Sequence, residues 1–161
     1  ACPLGPDWPF GGVATQRITL DADHLRAELA VTAGNIAMPA QVGWHPWFWK
    51  PGSADLRFDA MYQRDSDGIP TGELVAPPAG PADDCFVRPL GPLQLHHDEV
   101  TITIDSDCDH WVVYSQQRRE LCVEPQSGPP DGFTLAPFVL QPGETLRRWM
   151  TIGWSAVAGL R

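Results

Sequence analysis

The sequence predicts an all-β protein, an antiparallel β-sandwich built from many short strands. Three observations carry that expectation. Seventeen prolines and fifteen glycines are spread through 161 residues, and they interrupt the chain too often for long helices. Between them lie short runs in which apolar and polar residues alternate, the period of a half-buried strand. No apolar stripe with the 3.6-residue helical period lasts more than about two turns.

In chain order, "ATQRITL" (14–20), the turn residues "DADH" and "LRAELAVT" (25–32) read as a hairpin. The segment 66–92 is rich in Pro and Gly and reads as a long strand-poor loop, of a length that often carries function. "VTITI" (100–104) alternates cleanly. "HWVVYS" (110–115) and "ELCVEP" (120–125) flank the polar "QQRR" and predict a second hairpin. "LRRWMTIGW" (146–154), entered through "QPGET", predicts a final strand.

The length suits one domain, 1–161, with a real core. Eleven basic against twenty acidic residues give a net charge of −9. That balance argues against a nucleic-acid partner and favours a small neutral ligand. No apolar run approaches the ~20 residues that span a bilayer, so no membrane association is expected. The first residues, "ACPLGPDWPF", lack the basic end and apolar middle of a signal peptide. They also lack an initiator Met, as in a processed chain or one that begins partway through a longer product. Cys2, Cys85, Cys108 and Cys122 show no CxxC spacing. Buried free thiols in a reducing cytoplasm are expected, not zinc ligands or a disulfide framework.

Two groups stand out for chemistry. His45 lies in "GWHPWFWK" (43–50), among Trp44, Trp47, Phe48 and Trp49. It is either a hydrogen-bonded core histidine or a working group in an aromatic pocket. Glu124 closes "LCVEP". It is either the outward residue of an alternating strand or a carboxylate fixed by the proline-stiffened loop "EPQSGPPDG". Asp83 and Asp84 form an acidic pair within the long loop. A serine-hydrolase elbow and a phosphate-binding glycine loop are both missing from the sequence. "RDSDG" (64–68) and "DSDCD" (105–109) are explained by turn chemistry. His96 and His97, adjacent on a strand, point to opposite faces and cannot share a metal. His24 and His110 have no identifiable partners, and no metal site is expected.

Several motifs fall into one order: "GWHPWF" (43–48), "GIPTGELV" (68–75), "DDCF" (83–86), "CVEPQSGPPDGF" (122–133) and "LQPGETL" (140–146). Together they resemble the aldose 1-epimerase (galactose mutarotase) family over nearly the whole chain. The resemblance implies a large antiparallel β-sandwich with little helix. It implies interconversion of the α and β anomers of a free aldose, without metal or organic cofactor. His45 would be the catalytic acid and Glu124 the catalytic base. Asp83 would bind sugar hydroxyls, with Trp47 as an aromatic wall and Gln126 as a further sugar contact. Trp44 and Phe48 are expected to be plain core.

The chain departs from the family in three ways. Asp84 stands where the pattern often has histidine. Gly132 and Thr134 replace a common Ala and Asn, a change expected to loosen the loop behind Glu124. All the matching motifs belong to the C-terminal part of a longer family domain, and the N-terminal arginine and histidine of its sugar site have no counterpart here. Open edges and an open core face are therefore expected. Three explanations follow: a fragment, a short natural form that self-associates, or a sugar-binding domain without turnover. A relative acting on phosphorylated hexoses would call for an arginine cluster, and the sequence shows none.

Overall fold

A computed structural model describes residues 1–157 of the chain; the last four residues of the expected single domain lie outside the described residues. Two antiparallel sheets face each other. The hairpin expected near the start forms from β1 (Cys2–Pro3), β2 (Val13–Leu20) and β3 (His24–Thr32). β4 (Met38–Pro39) precedes β5 (Trp47–Trp49), β6 (Ser53–Asp55) and β7 (Phe58–Arg64). β8 (Pro70–Val75), β9 (Asp83–Pro89) and β10 (Leu93–His96) follow. Then come β11 (Val100–Ser106), β12 (His110–Tyr114) and β13 (Glu120–Gln126). A single helical turn, α1 (Gly132–Leu135), leads to β14 (Val139–Leu140) and β15 (Thr145–Ala156).

The larger sheet has seven strands in the order β1-β2-β3-β15-β11-β10-β6, and the smaller six in the order β5-β13-β12-β9-β7-β8. β4 and β14 form a separate two-stranded ladder. The expected sandwich and both hairpins are present. The segment 66–92 is not the strand-poor loop that its composition suggests. It folds into β8 and β9, because Pro and Gly fall at strand ends and at Gly72, whose φ of 90° only glycine adopts easily. Asp83 therefore opens a strand instead of lying in a loop.

Alternation explains the core. Leu121 and Val123 of β13 and Trp111 and Val113 of β12 point inward from the smaller sheet. They meet Leu93 and Leu95 of β10 and Ile104 of β11 from the larger one, with Phe58 and Phe86 stacked between ring centroids 4.9 Å apart. A second cluster gathers Val31, Leu146, Met38, Val42 and Leu140 under the β4–β14 ladder. One part of the larger sheet's inner face stays open. Ile18 pairs across the sheet with Ala27 and thence Met150, both buried, yet Ile18 is 59% and its strand-mate Leu20 69% exposed. The expected open core face lies here, at β2. No helix among the described residues is long and apolar enough to cross a membrane.

All four cysteines are free; Cys85, Cys108 and Cys122 are buried, but Cys2 is exposed, contrary to the expectation for that residue. It sits in the two-residue edge strand β1, where nothing covers its side chain. The two histidines without assigned partners have them: His24 contacts Asp21 and Asp23, and His110 stacks on Tyr62 and meets its hydroxyl at 3.2 Å. His96, on β10, meets Asp55 on the neighbouring strand at 3.1 Å. The 64–68 motif is a turn, with Asp65 Oδ1 accepting from the backbone N–H of Asp67 and Ile69.

Candidate active site

The site grows from the outer face of β13. If Leu121 and Val123 face the core, then Glu120, Cys122, Glu124 and Gln126 must face away from it. An outward glutamate would ordinarily be solvated. Glu124 is instead only 5% exposed, because the segment 41–45 folds across it. Gly43 makes that crossing feasible. It bridges to Gln126, and a Cβ at position 43 would lie 2.9 Å from both Gln126 Cγ and Pro125 O. The Trp44 N–H donates to the Pro125 carbonyl and the Ser127 N–H to the Val42 carbonyl, which closes the strand end onto β13.

The crossing brings His45 to Glu124, with Nε2 3.1 Å from Oε1. The other carboxylate oxygen accepts a hydrogen bond from Gln126 Nε2 at 3.1 Å. His45 is more than half exposed, so the pair joins a buried carboxylate to an accessible imidazole. The ring lies nearly parallel to Trp47 with centroids 5.5 Å apart, and Trp47 meets Tyr114 edge-on. On its far side, His45 Nδ1 lies 3.0 Å from Cys122 Sγ. A cavity of about 300 Å³ opens here, lined by Gln41, Val42, Trp44, His45, Glu124 and Gln126. Its size suits a monosaccharide-scale ligand.

Four of the five residues singled out from the sequence, His45, Glu124, Gln126 and Trp47, thus come together. Asp83 lies farther away on the same sheet face. Cross-strand pairing places Asp83, Tyr114, Cys122 and Trp47 in one row, so its backbone stands about 10 Å from that of Cys122, two strand spacings away. Arg64 holds the acidic pair, with Nε 3.0 Å from Asp84 and Nη1 3.8 Å from Asp83. Phe48 packs against the core as expected. Trp44 does not: it lines the cavity beside His45, and its buried indole N–H has no hydrogen-bond partner among the described residues. The irregular backbone at 43–46 breaks the strand alternation that made Trp44 look like core.

The loop behind Glu124 is tied down, contrary to the loosening expected from Gly132. Gln41 Nε2 donates to the carbonyls of Gly128 and Pro129 at 2.7 and 3.0 Å. Gly132 leaves the room that this amide occupies, since a Cβ there would collide with Gln41 Oε1. Thr134 caps the turn by donating its hydroxyl hydrogen to Asp131.

His45, Cys122 and Glu124 offer ligand atoms within 4.8 Å of one another. As a metal set they fit poorly. Burial first, and the nearby Glu124 carboxylate second, push the Cys122 thiol well above its ordinary pKa, whereas a metal ligand must be a thiolate. Of the three larger cavities elsewhere among the described residues, one, lined by Leu93 and Trp111, has no histidine in its wall, and two share residues 50–52. One of these two is floored by Phe58, Phe86, Val113 and Leu121, and the other opens between Trp49 and the 97–100 turn. In neither does an imidazole lie within 4 Å of a carboxylate among the described residues.

Fold and site together define an antiparallel sandwich carrying a paired histidine and glutamate on the outer face of one sheet. Solved structures that share this fold include galactose mutarotase-like proteins. A galactose mutarotase-like protein from Clostridium acetobutylicum aligns over 96% of this chain and 61% of its own, with a TM-score of 0.82 at 15% identity. An aldose epimerase homologue from C. elegans aligns over 92% of this chain and 61% of its own, with a TM-score of 0.76 at 14% identity. A galactose 1-epimerase from Lactobacillus acidophilus aligns over 89% and 67%, with a TM-score of 0.59 at 13% identity. The chain spans about three fifths of the length of four of the structures it matches. No family model matches the sequence, and no curated protein does.

Proposed function

We propose that this chain interconverts the α and β anomers of a free aldohexose by general acid–base catalysis. The observation that carries the reading is the 3.1 Å approach of His45 Nε2 to Glu124 Oε1 at the mouth of a monosaccharide-sized cavity. A sugar seated there takes a proton from His45 Nε2 onto its ring oxygen while Glu124 accepts the proton of the anomeric hydroxyl. The bond between C1 and the ring oxygen breaks and leaves an open aldehyde. Rotation about C1–C2 presents the other carbonyl face, and closure returns both protons. Trp47 offers a flat apolar surface to the C–H face of the sugar, Gln126 orients the base, and Asp83 waits along the same row for the remote hydroxyls. The pocket needs no cofactor for this chemistry, because each group regenerates itself. The three buried free thiols suit a reducing compartment such as the cytoplasm.

A second reading is sugar binding without turnover, since the cavity and the Trp47 wall could hold a sugar without proton transfer. Polarimetry of freshly dissolved α-D-glucose or α-D-galactose separates the two. Catalysis predicts relaxation faster than buffer alone, in proportion to protein. Relaxation at the buffer rate, with sugar still quenching tryptophan fluorescence, would establish the binding module instead. A phosphorylated hexose is disfavoured, since no arginine among the described residues lines the cavity.

A further inference from the structure

The acid–base reading leaves one buried nucleophilic group at the site without a task. Cys122 is fully buried and lies on the same face of β13 as Glu124, two residues before it. Its sulfur makes two short contacts, 3.0 Å to His45 Nδ1 and 3.0 Å to the Pro46 carbonyl oxygen.

Counting hydrogens decides how these contacts are made. The thiol has one hydrogen, and the Pro46 carbonyl can only accept. The S–H therefore points at Pro46, and the contact to Nδ1 must use a hydrogen that the ring supplies. At the opposite end of the ring, the Glu124 carboxylate also only accepts, so Nε2 carries a hydrogen too. All three contacts are satisfied at once when the ring is protonated on both nitrogens, the form that a proton donor requires. The raised thiol pKa keeps the S–H in place for Pro46.

We propose that Cys122 is a positioning residue for His45: its sulfur accepts Nδ1–H while its own hydrogen is anchored on Pro46, so that Nε2 is the nitrogen that gives up and regains the proton. Apart from Glu124 at Nε2 and the stacking on Trp47, the ring is exposed, so Cys122 is the contact that fixes Nδ1. When Nε2–H breaks and an O–H forms on the sugar ring oxygen, the imidazole is left neutral with its remaining hydrogen on Nδ1, still bonded to sulfur. No electrons are transferred and no other reagent is needed. The other nitrogen cannot be bared, because the sulfur's hydrogen is already engaged. This inference rests on the acid–base reading and adds the device that aims it.

The test uses the full chain labelled with ¹⁵N-histidine, with the Nδ1–H resonance of His45 identified by its loss in His45→Gln. In wild type at acidic pH that proton should exchange slowly with solvent. Cys122→Ser, which still accepts and donates, should keep it. Cys122→Val, which fills the space without accepting, should lose it while the backbone spectrum stays folded. A slow Nδ1–H that persists in Cys122→Val overturns the proposal. In the mutarotation assay, Cys122→Val should lower kcat about 10–100-fold with KM changed less than about twofold, in the range of lost orienting partners, and Cys122→Ser should recover most of it. Wild-type kcat in Cys122→Val would equally overturn it. If wild type does not turn over, the acid–base reading fails, while the resonance still decides whether Cys122 holds the ring.

Discussion

Replacing Glu124 by Gln isolates the base with little change of shape. Glutamine keeps the volume of a side chain that is only 7% exposed, and its amide oxygen can still accept the hydrogen bond from Gln126. What it loses is the capacity to take a proton. A positioned general base is worth about 10²–10⁴-fold, so kcat should fall by that factor, about 3–5 kcal/mol of barrier. Stability should hardly move. The partner imidazole is 59% exposed, so solvent screens the pair and its contribution is about 0–1 kcal/mol. For a chain of this length that is a shift of at most about 2–4 °C in Tm. Initial rates by polarimetry, corrected for the buffer rate, and thermal unfolding followed by circular dichroism measure the two quantities separately. Activity within about threefold of wild type, in a Gln variant that melts normally, would refute Glu124 as the base. A large loss of Tm would instead show that the buried carboxylate is structural.

Gly43→Ala should cost turnover and stability together, by about 1–3 kcal/mol of unfolding free energy, because a methyl group 2.9 Å from the Pro125 carbonyl forces the crossing away from β13; kcat and the urea midpoint read both. Iodoacetamide at pH 8 should label exposed Cys2 quickly and leave the three buried cysteines until urea unfolds the chain, since burial pushes Cys85 up to about 12 and Cys108 up to about 11; intact mass counts the adducts. Burial, partly opposed by Asp109, lowers the pKa of His110 below the ordinary 6.5. The unfolded chain then binds the proton more readily than the folded one, so stability should decline as pH drops below about 6.5 and level off below the folded value. His110→Gln should flatten that limb of the urea midpoint against pH, and an unchanged limb would assign the effect elsewhere.

Strand-forming segments were legible wherever period-two alternation survived, as in 14–32, 100–104, 110–125 and 146–154. Residues 66–92 were not, because local composition reports turn propensity while β9 is stabilised by its ladders to β7 and β12 on either side. His45 and Glu124 were legible as candidates from their settings, but nothing local says that they meet. That juxtaposition depends on Gly43 crossing β13, a contact between positions more than eighty residues apart. The roles of Trp44 and Cys122 were hidden for a related reason. A cysteine among apolar strand residues looks like core in any sequence, and only the pairing of Trp47 with Cys122 brings its sulfur to Nδ1 of His45.

The open face at β2 and the closed site at β13 belong to different parts of the sandwich. The His45–Glu124 pair and its cradle draw on residues 41–47 and 122–132, which bind each other through Gln41, Val42, Gly43 and Trp44. That unit is anchored by Leu121 and Val123 in the principal core, which both sheets complete within the described chain. Ile18 and Leu20 belong to no such closed unit; the second cluster covers β3 and β15 but stops short of β2. The chemistry and the exposed apolar surface are therefore separable. Ile18→Thr combined with Leu20→Thr should improve solubility and leave mutarotation rates alone, because both side chains are mostly exposed and β2 pairs with β1 and β3, not with the strands around His45 and Glu124. A matching loss of rate would mean that the β2 face and the proton-transfer site act as one.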